Sequence, residues 1–269
     1  MCGIFCALSS HQSRWPTINH QRLLENRGPD SCHRAESVEQ SPSINGFDRD
    51  ASCRTHITFL STVLSLRGTQ TVAQPYMQHD QTSRLCWNGE AWTVDGTVTD
   101  ANDTQIVYSQ VLETTQTELS RLPQDDETLR RADAVAAAMS RIAGPYAFVF
   151  HDSLHGLIYF GRDSLGRRSL LFNVTDDGDV IISSIPDATL GTTWTEVEAD
   201  GIYCVDLKRA DQLDPSGPWV RHGTFAVTKA QYHFSGTGGH SANQSVGGDE
   251  SPMSASAHGP VGGPTSFLA

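Results

Sequence analysis

The sequence predicts an α+β protein. Three observations point there. Short apolar segments follow one another between residues 146 and 206 with turn signals such as Asp177-Gly178 between them, which implies antiparallel pairing. Helical patterns fall in two blocks and do not alternate with strands, which argues against a doubly wound parallel sheet. Beyond Ser235 the apolar pattern stops.

Gly3 to Leu8 is expected as a short buried strand. Thr17 to Asn26 follows Pro16, a residue favoured at helix starts, and carries Ile18, Leu23 and Leu24 at helical spacing. The turn Arg27-Gly28-Pro29-Asp30 ends it. Ser31 to Arg54 is polar and irregular, as in a surface loop. Ile57 to Leu66 and Leu85 to Trp92 read as strands, the second interrupted by Asn88-Gly89. Asn102, with Gln105 three residues on, marks a capped helix that buries Ile106, Val107, Val111 and Leu112. A second helix from about Asp126 to Ala143 stops at Gly144-Pro145. Strands are then expected at Tyr146 to His151, Gly156 to Arg162, Arg168 to Phe172, Asp179 to Ser184 and Gly201 to Asp206. Of the 35 residues from Ser235 to Ala269, eight are Gly, seven Ser and three Pro, so that stretch is expected as a disordered tail.

Acidic residues outnumber basic ones by 31 to 19, for a formal net charge of −12. That balance argues against nucleic acid or an anionic membrane as the main partner, since both require clustered Lys and Arg. No run approaches the ~20 apolar residues that span a bilayer. The opening MCGIFCALSS has no basic segment before it, so a secretory signal is not expected. Six scattered cysteines without a Cys-x-x-Cys point to free thiols in a reducing compartment, with the cytoplasm as default.

Cys2 carries the sharpest chemical signal. The small Gly3 behind it suits removal of Met1, which would place a thiol and an α-amine on one residue. The amine, with an ordinary pKa near ~8, can take the proton of a thiol near ~8.5. A plain buried cysteine at a strand start is the alternative. Acyl transfer also needs oxyanion donors, and Trp87-Asn88-Gly89-Glu90 offers the Asn88 amide and the Gly89 N–H, with Glu90 placed to accept from a substrate. Asn-Gly between strands is equally a hairpin signal. Asp103 can pair with a substrate α-amine or simply cap its helix. Arg27 and Asp30 are expected to fix their own turn by local hydrogen bonds, with a substrate contact as the second reading.

Taken together, Met1-Cys2-Gly3-Ile4, Arg27-Gly28-Pro29-Asp30, Trp87-Asn88-Gly89-Glu90, Asn102-Asp103-Thr104 and Gly161-Arg162-Asp163 with Gly166-Arg167-Arg168 resemble the class II glutamine amidotransferases. This is the N-terminal nucleophile branch found in asparagine synthetases. Leu64-Ser65-Leu66-Arg67-Gly68, Gln74-Pro75 and the run Ser169-Leu170-Leu171 look most like its asparagine synthetase domain-containing subgroup. The resemblance implies a four-layer αββα sandwich over residues 1–230, with 231–269 as the low-complexity tail. It implies Cys2 as nucleophile and, through its amine, base; Asn88 and Gly89 as oxyanion hole; and Glu90 and Asp103 on the glutamine amine. L-Glutamine would be the substrate, glutamate and ammonia the products, and no metal or cofactor is implied.

Two departures qualify the expectation. Val63 stands where the family presents an arginine to the glutamine carboxylate, and Arg67, taken as lying further along the same strand, is the candidate substitute. The pyrophosphate loop that opens the family's synthetase half is matched only by Ser235-Gly236-Thr237-Gly238-Gly239-His240, without its Asp-Ser. Either a separate synthetase subunit is the expected acceptor of ammonia, or the chain is a truncated or alternative product with residual glutaminase activity. A catalytically weak module that keeps the fold is the second reading.

Overall fold

The structure, a computed structural model, describes residues 1–41, 53–79, 81–117, 127–190, 193–208, 220–222 and 224–232. The stretch Ser235 to Ala269, expected as a disordered tail, lies outside them, as does the center of the loop expected between Ser31 and Arg54.

In chain order the elements are β1 (Gly3–Ser9), α1 (Ile18–Arg27), β2 (Ser31–Ser41), β3 (Cys53–Val63), β4 (Arg84–Gly89), β5 (Thr93–Val94), β6 (Thr97–Val98), α2 (Asp103–Gln116) and α3 (Glu127–Ser140). There follow β7 (Ile142–Ala143), β8 (Tyr146–Asp152), β9 (Leu157–Arg162), β10 (Leu171–Val174), β11 (Val180–Ser183), β12 (Thr195–Glu196), β13 (Gly201–Asp206), β14 (Val220–His222) and β15 (Phe225–Gln231). Two six-stranded antiparallel sheets run β12-β10-β11-β1-β3-β2 and β14-β15-β13-β9-β8-β4, beside a small β6-β5-β7 sheet.

Side-chain alternation along β1 sets the layers. Ile4, Cys6 and Leu8 enter the core between the sheets with Phe59, Val149 and Phe160, while Phe5 and Ala7 point the other way, onto Leu24 of α1. The second sheet sends Trp87, Phe148 and Phe150 outward against Val107, Val111, Val135 and Met139 of α2 and α3. The stacking is thus α1, sheet, sheet, then α2 with α3: the four-layer αββα sandwich.

Asn102 caps α2, accepting the Thr104 N–H at 3.0 Å. Four expectations need correction. Ser31 to Ser41 is a strand, paired with β3 from Ser31↔Val63 to Ser41↔Cys53. As an edge strand it is polar, with Ala35, Ser37 and Glu39 only half-buried, so it gives no apolar signal. Asn88-Gly89 is no hairpin turn, because β4 stays paired with β8 through Gly89↔Tyr146. In α1, Ile18 and Leu23 are exposed and the buried face is His20 and Leu24. Ile106 is only partly buried, packed against the α2 core. Among the described residues no helix is long and apolar enough to cross a membrane.

Candidate active site

Gly3 lies opposite Thr62 in the β1–β3 ladder, so the start of β1 meets the end of β3. The end of β4 and the start of α2 close on the same place. Cys2, Arg67, Asn88, Gly89, Glu90 and Asp103, six of the residues singled out from sequence, line one pocket there. Its empty space is about 470 Å³ with its open mouth included. Val63, Gln74, Trp87 and Arg168 also line it.

The nucleophile candidate is held by its neighbors. Gly3 N–H donates to Thr62 Oγ1 at 3.0 Å, and that hydroxyl donates to Leu24 O at 2.7 Å. A Cβ on Gly3 would sit 2.5 Å from the same hydroxyl, so only glycine lets the strand lie this close. Arg27 and Asp30 act over long range, against the expectation of a self-contained turn. Arg27 donates to Cys2 O at 3.3 Å and to Ser169 Oγ at 3.0 Å, while Asp30 Oδ2 accepts the Ser65 N–H at 2.7 Å.

Cys2 is buried, and its thiol contacts Leu64 O at 3.8 Å. Burial pushes its pKa up, an effect that the charges of the terminal amine and Arg168 partly oppose. Among the described residues no histidine lines the pocket, and its carboxylates are those of Glu90 and Asp103. The terminal α-amine, carried here by Met1 at the pocket, has its pKa lowered, first by burial and then by Arg27 and Arg168.

Asn88 is buried, and its Nδ2 has no hydrogen-bond partner. A buried donor in that state carries a desolvation cost of about 1–3 kcal/mol, which a ligand oxygen would relieve. The backbone supplies a second donor by its period of two. Glu90 N–H bonds inward to Pro145 O at 2.9 Å, whereas Trp87 N–H points away from β8, to Gln74 Oε1 at 2.6 Å. Gly89, two residues from Trp87, therefore directs its N–H to the same open edge.

Asp103 is not the cap of α2. Its Oδ2 accepts Trp87 Nε1–H at 3.1 Å and Ala91 N–H at 2.7 Å, and burial raises its pKa despite both bonds. Arg67 lies beyond the end of β3, so strand alternation does not orient it; Nη1 donates to Ala91 O and Thr99 O, both at 2.9 Å, and clamps the segment after β4. Sequence reasoning missed Arg168 as a pocket residue. Asp163 organizes its turn, accepting from Tyr146 N, Arg167 N and Arg167 Nε, and Arg168 reaches Glu90 Oε1 at 2.9 Å. The Arg-Arg pair in the Gly166-Arg167-Arg168 motif was the available signal.

The family described as "Glutamine amidotransferase domain" matches residues 1–209. "Asparagine synthetase domain-containing protein 1" of Bos taurus is 31% identical over 216 residues, 78% of this chain and 29% of that protein. Its Homo sapiens counterpart is 30% identical over 214 residues, 77% of this chain and 29% of that protein. The chain thus spans less than a third of the length of these relatives. A solved structure titled "Structure of the allosteric regulatory enzyme of purine biosynthesis" aligns with a TM-score of 0.48 at 16% identity, over 86% of this chain and 49% of that one. On the family match, the chain belongs to the glutamine amidotransferase domain family, in its class II, N-terminal nucleophile branch, and is related to the asparagine synthetase domain-containing protein 1 homologues.

Proposed function

We propose that residues 1–230 hydrolyse L-glutamine to glutamate and ammonia once Met1 has been removed. One observation carries the reading: Asn88, whose Nδ2 is unpartnered, lines the same pocket as Cys2, and among the described residues no histidine is there to serve as base. The freed α-amine of Cys2 takes the thiol proton, and Sγ attacks the side-chain carboxamide carbon. Asn88 Nδ2–H and Gly89 N–H receive the oxyanion. The protonated amine then returns its proton to the departing nitrogen, which leaves as ammonia, and a thioester remains. Water, deprotonated by the same amine, adds to the thioester, and glutamate leaves as Sγ is reprotonated. Glu90 and Asp103 receive the substrate ammonium.

The ammonia would serve a synthetase partner in asparagine biosynthesis, a reading supported by the relatives' printed name alone. The cytoplasm is the proposed setting, from the scattered thiols. The test is ammonia release by protein whose first residue is Cys2, compared with Cys2→Ala. Equal release from both would reject the reading. It would leave the catalytically weak module, which the apolar Val63 in the pocket wall favors.

A further inference from the structure

The pocket presents two arginines to a small amino-acid ligand, and they are used differently. Arg67 Nη1 is taken up by three acceptors, Ala91 O, Thr99 O and Thr99 Oγ1, and works as a clamp on the segment that follows β4. Arg168 stands otherwise. Among the described residues its guanidinium makes one hydrogen bond, from Nη2 to Glu90 Oε1, and its Nε is buried with no partner. Its side chain is 18% exposed and that of Glu90 is 32% exposed, so the pair is only partly hydrated.

An Arg–Glu pair at a pocket wall is charge-complementary to the head of an α-amino acid, which carries one ammonium and one carboxylate. A guanidinium offers five N–H donors in a planar fork, and engaging Glu90 through Nη2 leaves the rest of that fork for a second carboxylate. The turn built on Asp163 fixes the backbone beneath it through Arg167 N and Arg167 Nε, so the cation is presented from a braced segment. Val63, also in the pocket lining, supplies no charge.

We propose that Arg168 receives the α-carboxylate of the carboxamide substrate, with Glu90 beside it on the ammonium. Arg168 is then the residue that restricts the pocket to α-amino acids. The proposal rests on the amidotransferase reading for the identity of the ligand, and its test does not depend on turnover.

Binding is measured by NMR titration in the full-length Cys2→Ala protein, alone and combined with Arg168→Gln or Arg168→Lys. The ligands are L-glutamine, glutaramate (which lacks the amine) and 4-aminobutanamide (which lacks the carboxylate). Arg168→Gln is expected to weaken glutamine and glutaramate by about 10- to 100-fold, the range for a lost charge-assisted hydrogen bond, and 4-aminobutanamide by no more than about 3-fold. Arg168→Lys, which keeps the charge, should recover more than half of that loss on a logarithmic scale. Equal weakening by Lys and Gln, equal weakening of ligands with and without the carboxylate, or no glutamine binding to the Cys2→Ala protein would each overturn the proposal. Unfolding curves for each variant identify one that has lost its fold, in which case Arg168→Lys decides. Ammonia release by the Cys2-terminal protein tests the amidotransferase reading separately, so either can fail while the other stands.

Discussion

The indole N–H of Trp87 donates to Asp103 Oδ2 across 3.1 Å, tying the edge strand that carries Asn88 to the first residue of α2. The same oxygen accepts Ala91 N–H. Because burial raises the Asp103 pKa, its stabilizing contribution is full below the unfolded value near ~3.9 and is lost as pH rises through the raised folded value. Asp103→Asn keeps an oxygen acceptor for both donors and removes the charge. Denaturant unfolding at pH 7 should therefore show stability equal to or above that of the parent, while glutamine binding weakens by about 10- to 100-fold. Unimpaired binding would contradict the role given to this carboxylate.

Asn88→Ala removes a donor that has no partner in the fold. Its unfolding free energy should stay within about 1 kcal/mol of the parent. The turnover number for glutamine hydrolysis should drop by about 100- to 1,000-fold, as for loss of one oxyanion donor. A variant that loses stability but keeps its turnover number would assign Asn88 to structure.

Gly3→Ala forces a methyl to within 2.5 Å of Thr62 Oγ1 and 3.0 Å of Leu24 O. The strand must shift, at a cost of about 1–3 kcal/mol, and the Cys2 thiol moves with it. Chemical denaturation should read the first effect and glutaminase assays the second.

For protein that begins at Cys2, activity requires the neutral amine, so kcat/KM should rise with pH through the pKa of that amine. Burial, then Arg27 and Arg168, lower the amine that Met1 carries; the amine of Cys2, one residue further along, is expected to meet the same influences, with a midpoint below the ~8 of an ordinary α-amine. A midpoint at or above ~8 would speak against a buried amine as base.

His20 provides a stability switch away from the pocket. Its Nε2 lies 2.9 Å from Ile185 O and 3.0 Å from Ser183 Oγ, and Nδ1 lies 3.6 Å from Asp187. Burial lowers its pKa, with Asp187 opposing, so the neutral ring is the native form. Its contribution to stability is present above the unfolded value near ~6.5 and is lost as pH falls through the lower folded one. Urea midpoints should decline across that window, and His20→Gln should flatten the decline while costing about 1–3 kcal/mol at pH 7.

Particular residues show how much was legible beforehand. The Asn102 cap and the apolar runs of β1, β8 and β9 follow from local rules, because capping and burial leave marks within a few residues, whereas the helix expected to run to Gly144-Pro145 ends at Ser140, where the chain turns into β7. The polar edge strand β2 left none, since its pairing partner and not its composition makes it a strand. Likewise, Asn88-Gly89 satisfies both a hairpin rule and a strand end, and only the ladder with Tyr146 chooses between them.

By itself the sequence determined the α+β class and the set of six residues that meet at the pocket, through motifs in order along the chain. Tertiary structure alone decided what those residues can do. It committed Arg67 Nη1 to carbonyls, moved Asp103 from cap to buried acceptor, and set Arg168 against Glu90, 78 positions away. The physical reason is that hydrogen-bond capacity is allotted in space. A side chain's remaining donors are known only when every neighbor that sheet pairing brings to it has been counted.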